Sequence, residues 1–147
     1  MGNNYRFQPS APPIPIKSQI SDLIRTYKDS WVTQPKAGVF YWYHKITPTP
    51  ISSTYTVRIM LTQNRTPRVY IVDPKPLPKA EGKDKYEHMY DQKEQHICLH
   101  LADEWNTRMR IADTLVPWTS EWLISYECWA STGKWTGGGL HRNIYTR

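Results

Sequence analysis

Three short segments rich in β-branched and aromatic residues follow one another in the chain and restrict its fold more than any other feature. They cover residues 39–46, 54–61 and 68–72, and proline-containing or polar turns at 47–50 and 63–66 separate them. Such spacing is typical of strands joined by short turns. The sequence therefore predicts an antiparallel meander of three or four strands.

Helical patterns flank this predicted sheet on both sides. Pro15 is suited to start a helix, and apolar residues at helical spacing predict that it ends near Ser30. After the strands, a second apolar pattern starts at Met109 and carries most of the tryptophans. Pro117 predicts a kink or a break into two C-terminal helices, and Gly133 is a candidate C-cap. The fold class is therefore predicted to be α+β.

The 147 residues of the chain fit one domain. Residues 1–13 are polar and then proline-rich, which predicts a flexible N-terminal arm. A glycine run at 137–139 begins a predicted flexible tail over residues 137–147. The folded domain should then occupy residues 14–136.

Cysteine content and hydropathy indicate a reducing compartment. The chain has only 2 cysteines, no apolar signal core and no apolar run long enough to span a bilayer. A cytoplasmic protein without a membrane partner is expected. The net charge is +6, but lysines and arginines are scattered rather than clustered, which makes nucleic acid an improbable partner.

The segment from His88 to Ile111 carries the strongest chemical signal. Cys98 stands in the apolar run Ile97-Cys98-Leu99, after a long proline- and charge-rich loop at 73–85. A cysteine with polar neighbours and partial exposure can react as a thiolate, whereas a buried one is simply a small apolar residue. If the segment is extended, His96 and His100 share a face with Cys98 and can stabilise a thiolate or move a proton.

The same residue types allow a zinc site as an alternative. His88, His96, Cys98 and His100 are all competent ligands. Structural zinc sites usually draw paired ligands from two segments, and the chain has no Cys-x-x-Cys motif elsewhere. No metal is therefore expected.

The order of these motifs resembles the active-site region of ubiquitin-conjugating enzymes. His88 precedes Cys98 by ten positions and Trp105 precedes Ile111 by six, as in that family, whereas Cys98 and Trp105 are about one position closer together. Thr66-Pro67-Arg68-Val69 is similar to the motif that opens the last strand of that family's sheet. The downstream motifs are similar to a bacterial branch found in CBASS antiphage operons: Val116-Pro117-Trp118, Glu121-Trp122-Leu123, Tyr126-Glu127-Cys128-Trp129 and Thr132-Gly133-Lys134-Trp135.

This resemblance implies a ubiquitin-conjugating fold and acyl transfer through a thioester on Cys98, without a bound cofactor. The implied partner is a bacterial cGAS-like nucleotidyltransferase whose C-terminal glycine is the acyl donor, with a separate activating enzyme. His88 and Trp105 take structural roles at the site. The family's oxyanion donor is an asparagine two positions after the histidine, where this chain has Tyr90. Its hydroxyl, a backbone N–H or a nearby histidine can take that role.

A binding module that keeps the fold and docks the same partner without catalysis remains a second hypothesis. Trp31, Trp42 and Trp135 are candidate surface anchors for such a partner. The sequence predicts a different environment for the remaining aromatic residues and the second thiol. Residues predicted to be buried in the core are Trp105, Trp118, Trp122, Trp129 and Cys128.

Overall fold

The computed structural model describes residues 11–137, and the sequence within that range forms two α-helices and six strands. The helices are α1 (Ile16–Thr26) and α2 (Leu115–Thr132). The strands are β1 (Trp31–Lys36), β2 (Val39–Ile46), β3 (Tyr55–Thr62), β4 (Arg68–Asp73), β5 (Met89–Asp91) and β6 (His96–Ile97).

All six strands form one antiparallel sheet in the order β1-β2-β3-β4-β6-β5. The predicted meander is confirmed as β2, β3 and β4, and Pro67 directly precedes β4. Strand β1 was not predicted because it contains Pro35, which lacks a backbone N–H and is tolerated in an edge strand. The α+β class is confirmed.

Helix α1 is shorter than its apolar pattern indicates. It ends at Thr26, where the backbone N–H of Tyr27 donates the last bond to the carbonyl of Leu23. The prediction of an end near Ser30 was wrong by about one turn, because the chain leaves the helix early to enter β1 at Trp31.

Both helices pack on one face of the sheet. Alternate residues of β3, from Tyr55 to Leu61, are buried on that face. Tyr27, just after α1, makes an edge contact with Trp42 of β2, and Tyr126 of α2 makes one with Tyr55. Trp42 is 0% exposed, so its prediction as a surface anchor was wrong: it faces the helices.

Within residues 11–137, the second apolar pattern forms one α-helix that Pro117 does not interrupt. A short 3-10 turn, Ile111–Asp113, precedes α2, which begins at Leu115 instead of Met109. Pro117 is the third residue of α2, a position in the first turn whose N–H has no intrahelical partner. The predicted kink or break was therefore wrong. Gly133 caps the helix with φ 77°, as predicted.

The buried face of α2 explains the fate of the predicted core residues. Trp105, Trp122 and Trp129 are buried, and Trp118 is half-buried against the core. Cys128 is half-exposed, so its predicted burial was wrong: it lies at the edge of the buried stripe. Trp135 is half-buried, and Trp31 is 41% exposed.

Polar contacts fix α1 against the segment that leads into α2. The side chain of Gln19 donates to the carbonyl of Met109 and accepts from the N–H of Ile111. The Asp22 carboxylate pairs with Arg110, whose Nε lies 3.0 Å from Oδ2, and with Arg25. The hydrogen bond from Arg110 holds the pKa of Asp22 below its usual value, and the Arg25 contacts act in the same direction against burial.

This depressed pKa predicts an acid-dependent loss of stability. Because the folded protein favours ionised Asp22, the pair's contribution is present above about pH 4 and is lost as pH falls through the lowered pKa. We expect Asp22→Asn to lower the free energy of unfolding at pH 7 and to flatten its decrease between about pH 5 and pH 2. Urea unfolding at several pH values measures both. The exposed Asp84→Asn variant is the control, and an unchanged acid profile for Asp22→Asn would contradict the assignment.

The first described residues of the chain are hydrogen-bonded to the segment at 107–108. Ala11 and Ile14 bond to the 107–108 segment: the carbonyl of Ala11 accepts from Arg108 Nε at 2.6 Å, and the N–H of Ile14 donates to Thr107 at 2.8 Å. Residues 1–10 of the predicted arm and 138–147 of the predicted tail lie outside the described residues.

Neither helix in residues 11–137 combines the length and apolarity that crossing a bilayer requires.

Candidate active site

Cys98 lies immediately after β6, and its backbone is anchored to His88, the residue before β5. Its N–H donates to the carbonyl of His88 over 2.8 Å. The side chain is half-exposed, between the buried residues Ile97 and Leu99. His96, Cys98 and His100 are all half-buried, so burial alternates with period two as an extended segment predicts. A fixed backbone thus presents the thiol at the surface.

The carbonyl of His88 connects this backbone to helix α2. It accepts both the Cys98 N–H and the indole N–H of Trp122, the latter at 3.1 Å. His88 has φ 50°, an uncommon value for a residue with a Cβ atom, and its ring packs on Trp135 with centroids 4.8 Å apart. Through these contacts His88 connects the cysteine segment to helix α2.

Tyr90 of β5 brings a phenol to the thiol. A side-chain hydrogen bond to Cys98, reinforced by burial and by the charge of Cys98, raises the pKa of Tyr90 to about 12. The hydroxyl also lies 3.4 Å from the carbonyl oxygen of His100, to which the Cys98 thiol points at 3.9 Å. The phenol therefore remains protonated at neutral pH and can donate to a sulfur or an oxygen at this position.

His96 is held between two aromatic rings. Its ring lies 4.9 Å from that of Tyr70 and 4.9 Å from that of Tyr90, centroid to centroid. Burial lowers the pKa of His96, nearby Arg68 lowers it further, and Asp91 opposes them. Because the imidazole is neutral at pH 7, its direct contribution is to pack against Tyr90.

His100 presents a defined tautomer beside the thiol. Its Nδ1 lies 2.7 Å from the carbonyl oxygen of Leu101, which can only accept, so Nδ1 carries a proton. In the neutral ring the lone pair is then on Nε2. The ring contacts Trp118 with centroids 6.0 Å apart. His100 thus has its Nε2 lone pair available to accept a proton.

Trp105 supports the segment that follows the site. It is buried, and its indole N–H donates to the hydroxyl of Thr114 over 3.0 Å. Thr114 is the cap residue of α2. Trp105 therefore joins the chain beyond His100 to the start of the helix.

The zinc alternative lacks a ligand set. Within residues 11–137, no group of three or more histidine, cysteine or acidic side chains is arranged to hold a metal ion. The three histidines among the candidate ligands make other contacts: His88 packs on Trp135, His96 on Tyr70, and His100 bonds to the backbone of Leu101.

Gln95 is a structural residue of the site that the sequence did not reveal. It is 0% exposed and has φ 57°. Its side chain accepts from the N–H of Leu77 at 2.8 Å and donates to the carbonyls of Ile71 and Pro74 at 2.9 and 3.1 Å. These bonds tie the turn before β6 to the long loop. In the sequence Gln95 follows two charged residues and looks like a solvated turn residue, so no local pattern marks it.

A continuous series of side-chain contacts crosses the other face of the sheet and ends at Tyr90. Residues of neighbouring strands face each other in register, including Tyr43 with Arg58 and Tyr70 with His96. The guanidinium of Arg58 lies 4.7 Å from the ring centroids of both Tyr41 and Tyr70. We call this series the aromatic row; in order its members are Trp31, Tyr43, Tyr41, Arg58, Tyr70, His96 and Tyr90.

Comparison with known proteins identifies the family. A search of curated proteins finds no match. A family profile described as "Type II CBASS E2 protein" matches residues 19–142, which is most of the chain. The match confirms the resemblance predicted from the motifs around Cys98 and in α2. The chain therefore belongs to the type II CBASS E2 family, as an E2-like protein of these systems.

Proposed function

We propose that this protein has a ubiquitin-conjugating fold over residues 14–136 and carries an acyl group as a thioester on Cys98. The observation that carries the proposal is that the partly exposed Cys98 thiol and the Tyr90 hydroxyl both lie beside the carbonyl oxygen of His100, at 3.9 and 3.4 Å. Thioester chemistry needs both a nucleophilic sulfur and a donor for the oxyanion of each tetrahedral intermediate. Cys98 and Tyr90 supply these two groups within one contact.

The loading step follows from the chemistry of the thiol. The Cys98 thiolate attacks the activated carboxyl carbon of a C-terminal glycine. A carbon–sulfur bond forms, and the bond from that carbon to the activating group breaks as this group leaves with the electron pair. The proton from the thiol goes to solvent or to Nε2 of His100. A separate activating enzyme supplies the activated carboxyl group.

In the transfer step the acyl group leaves Cys98, and Tyr90 again acts as the oxyanion donor. An amine attacks the thioester carbon, the oxyanion accepts a hydrogen bond from Tyr90, and the carbon–sulfur bond breaks to return the thiolate. The amine releases a proton as it attacks, which Nε2 of His100 can accept. Tyr90 in this scheme replaces the asparagine of ubiquitin-conjugating enzymes.

The CBASS family assignment supports a partner from the same antiphage system. We propose that the acyl donor is the C-terminal glycine of a cGAS-like nucleotidyltransferase, and that its conjugation primes signalling. The second hypothesis, docking of this partner without catalysis, is favoured by the exposed Trp31, which stacks flat on Tyr43 at the edge of the sheet. The two functions differ in whether they require the sulfur of Cys98.

The test is the intact mass of the protein after co-expression with the other enzymes of its operon. We expect an adduct on the wild type that a reducing thiol releases, and a more stable oxyester on Cys98→Ser. Cys98→Ala should remain unmodified. Cys128→Ser is a matched control, because Cys128 is also a half-exposed free thiol but lies on α2; it should load like the wild type.

The alternative gives a different pattern in the same experiment. If the wild type, Cys98→Ser and Cys98→Ala all keep the unmodified mass and still co-purify with the nucleotidyltransferase, the protein is a docking module. An adduct that persists on Cys98→Ala and disappears in Cys128→Ser would place the acyl group on Cys128 and contradict the assignment of Cys98.

A further inference from the structure

One end of the sheet gathers two turns and the reactive segment. Val39 pairs with Thr62, so the β1–β2 turn and the β3–β4 turn lie at the same end. Strand β6 pairs antiparallel to β4, with His96 opposite Tyr70, and therefore runs toward the end at which β4 begins with Arg68. Cys98 follows β6 in this direction.

A groove of about 760 Å³ opens at this end of the sheet. Tyr90, His96 and His100, the neighbours of Cys98, line one part of it. Lys36 at the end of β1 and Arg65 in the β3–β4 turn line it together with Arg68, and the lining also includes the apolar side chains of Val39, Met60 and Leu99. The groove thus joins a cationic region to the surroundings of the thiol.

The charged side chains described in the lining of the groove are all positive. Of the residues between 11 and 137 that line it, three are lysine or arginine and none is aspartate or glutamate. Arg68 acts on the site electrostatically, since it lowers the pKa of His96, and Asp91 is the acidic group that acts on His96 in the opposite direction. A ligand in the groove therefore meets unpaired positive charge before it reaches Cys98.

We propose that this groove binds the extended C-terminal segment of the acyl donor, and that the segment carries acidic side chains upstream of its terminal glycine. This inference rests on the proposed function, because the glycine must reach Cys98. An extended peptide advances about 3.3 Å per residue and turns alternate side chains to the same side. Acidic side chains at alternate positions can therefore face Lys36, Arg65 and Arg68 while the smaller residues between them lie on the apolar lining.

A peptide fits this groove better than nucleic acid does. The lining combines the three cations with Val39, Met60 and Leu99, and apolar side chains offer little to a phosphate backbone. The groove also leads to a thiol for which the reacting group is a carboxyl carbon. Only a peptide brings both the charge and that carbon.

The test compares two fluorescent peptide thioesters that need no activating enzyme: Glu-Ala-Glu-Ala-Ala-Gly and its counterpart with glutamine at both glutamate positions. The Cys98 thiolate displaces the small leaving thiolate from either peptide, and intact mass with peptide mapping gives the rate at Cys98. Each exposed ion pair contributes a modest free energy, so we expect the acidic peptide to load about 3- to 10-fold faster at low salt. High salt should remove the difference.

Matched variants separate the groove from overall charge. Arg65→Gln with Arg68→Gln should abolish the preference for the acidic peptide, so that the ratio of the two loading rates falls to about one. Lys28→Gln with Lys45→Gln removes the same charge from exposed positions that do not line this groove and should retain the preference. Equal loading by both peptides on the wild type, together with a Cys98 adduct in the co-expression test, would overturn this inference and leave the proposed function standing.

A further experiment tests whether the groove binds nucleic acid instead of an acidic peptide. A single-stranded DNA oligonucleotide and an unreactive amide of the acidic peptide are compared as inhibitors of loading. We expect the peptide amide to inhibit more strongly. Stronger inhibition by the DNA, lost in the double arginine variant, would identify a nucleic-acid surface and overturn the assignment of a peptide.

Discussion

Replacing Tyr90 by phenylalanine is expected to slow acyl transfer from Cys98 to a free amine by about 100-fold, the usual effect of removing one oxyanion donor. The substitution removes only the hydroxyl and keeps the ring that packs on His96. The measurement is single-turnover discharge of the pre-formed Cys98 adduct to lysine. The adduct itself should still form, because the sulfur is retained.

The raised pKa of Tyr90 adds a second signature. Since the phenol donates only while protonated, a pKa of about 12 keeps the donor present well above the pH at which an ordinary tyrosine ionises. Because Cys98 is the main cause of this shift, it belongs to the protein with a free thiol: an absorbance titration of the Cys98→Ala variant should show one tyrosine more than the wild type that ionises near the usual pKa of about 10. Tyr43→Phe, which removes a hydroxyl elsewhere in the aromatic row, is the control and should discharge at the wild-type rate. Equal rates for Tyr90→Phe and Tyr43→Phe would assign the oxyanion to another donor.

Replacing Gln95 by alanine is expected to lower the free energy of unfolding by about 3 kcal/mol, since it removes two buried hydrogen bonds and one partly buried one and leaves backbone groups unpaired. The lost bonds hold the long loop against the turn before β6, so alkylation of Cys98 should also become faster. Urea unfolding and thiol-labelling rates measure the two effects.

Two variants separate the side chain from the backbone at this position. Gln95→Gly loses the same bonds but relieves the positive φ, so it should be more stable than Gln95→Ala by about 1 kcal/mol. Gln34→Ala in the exposed edge strand β1 should change stability by less than about 0.5 kcal/mol. A similar small effect for Gln95→Ala would show that water replaces the three bonds.

The parts of the fold that were predictable from the sequence are those set by local periodicity. The strands of the meander match the predicted segments closely, because alternating burial along β3 is visible as alternating apolar residues. Strands β5 and β6 have only 3 and 2 residues, so pairing partners rather than their own sequence define them. Tertiary context also decided the environment of Trp42, since an aromatic residue in a strand is equally compatible with either face.

The residues of the candidate site were predictable where they form a local motif and not where they come from distant parts of the chain. Cys98 was a candidate because its neighbours form a spaced motif along the chain. The contacts that define its environment come from distant positions: Trp122 reaches His88 from α2, Tyr70 reaches His96 from β4, and Arg58 reaches Tyr70 from β3. Such contacts depend on strand order, which a single sequence does not encode locally. For the same reason the structural role of Gln95 could not be predicted from the sequence.

The aromatic row has a consequence for the entropy of the reaction. Tyr90 is 64% exposed, and an isolated exposed tyrosine would sample several rotamers. Here its ring rests on His96, which is itself held by Tyr70, and Arg58 is held between Tyr70 and Tyr41. The side-chain freedom of Tyr90 is thus largely lost when the protein folds, long before an acyl group arrives. In the proposed reaction, a donor that is ordered in advance would lose little further entropy in the transition state, so the sheet would preorganise Tyr90 at its edge.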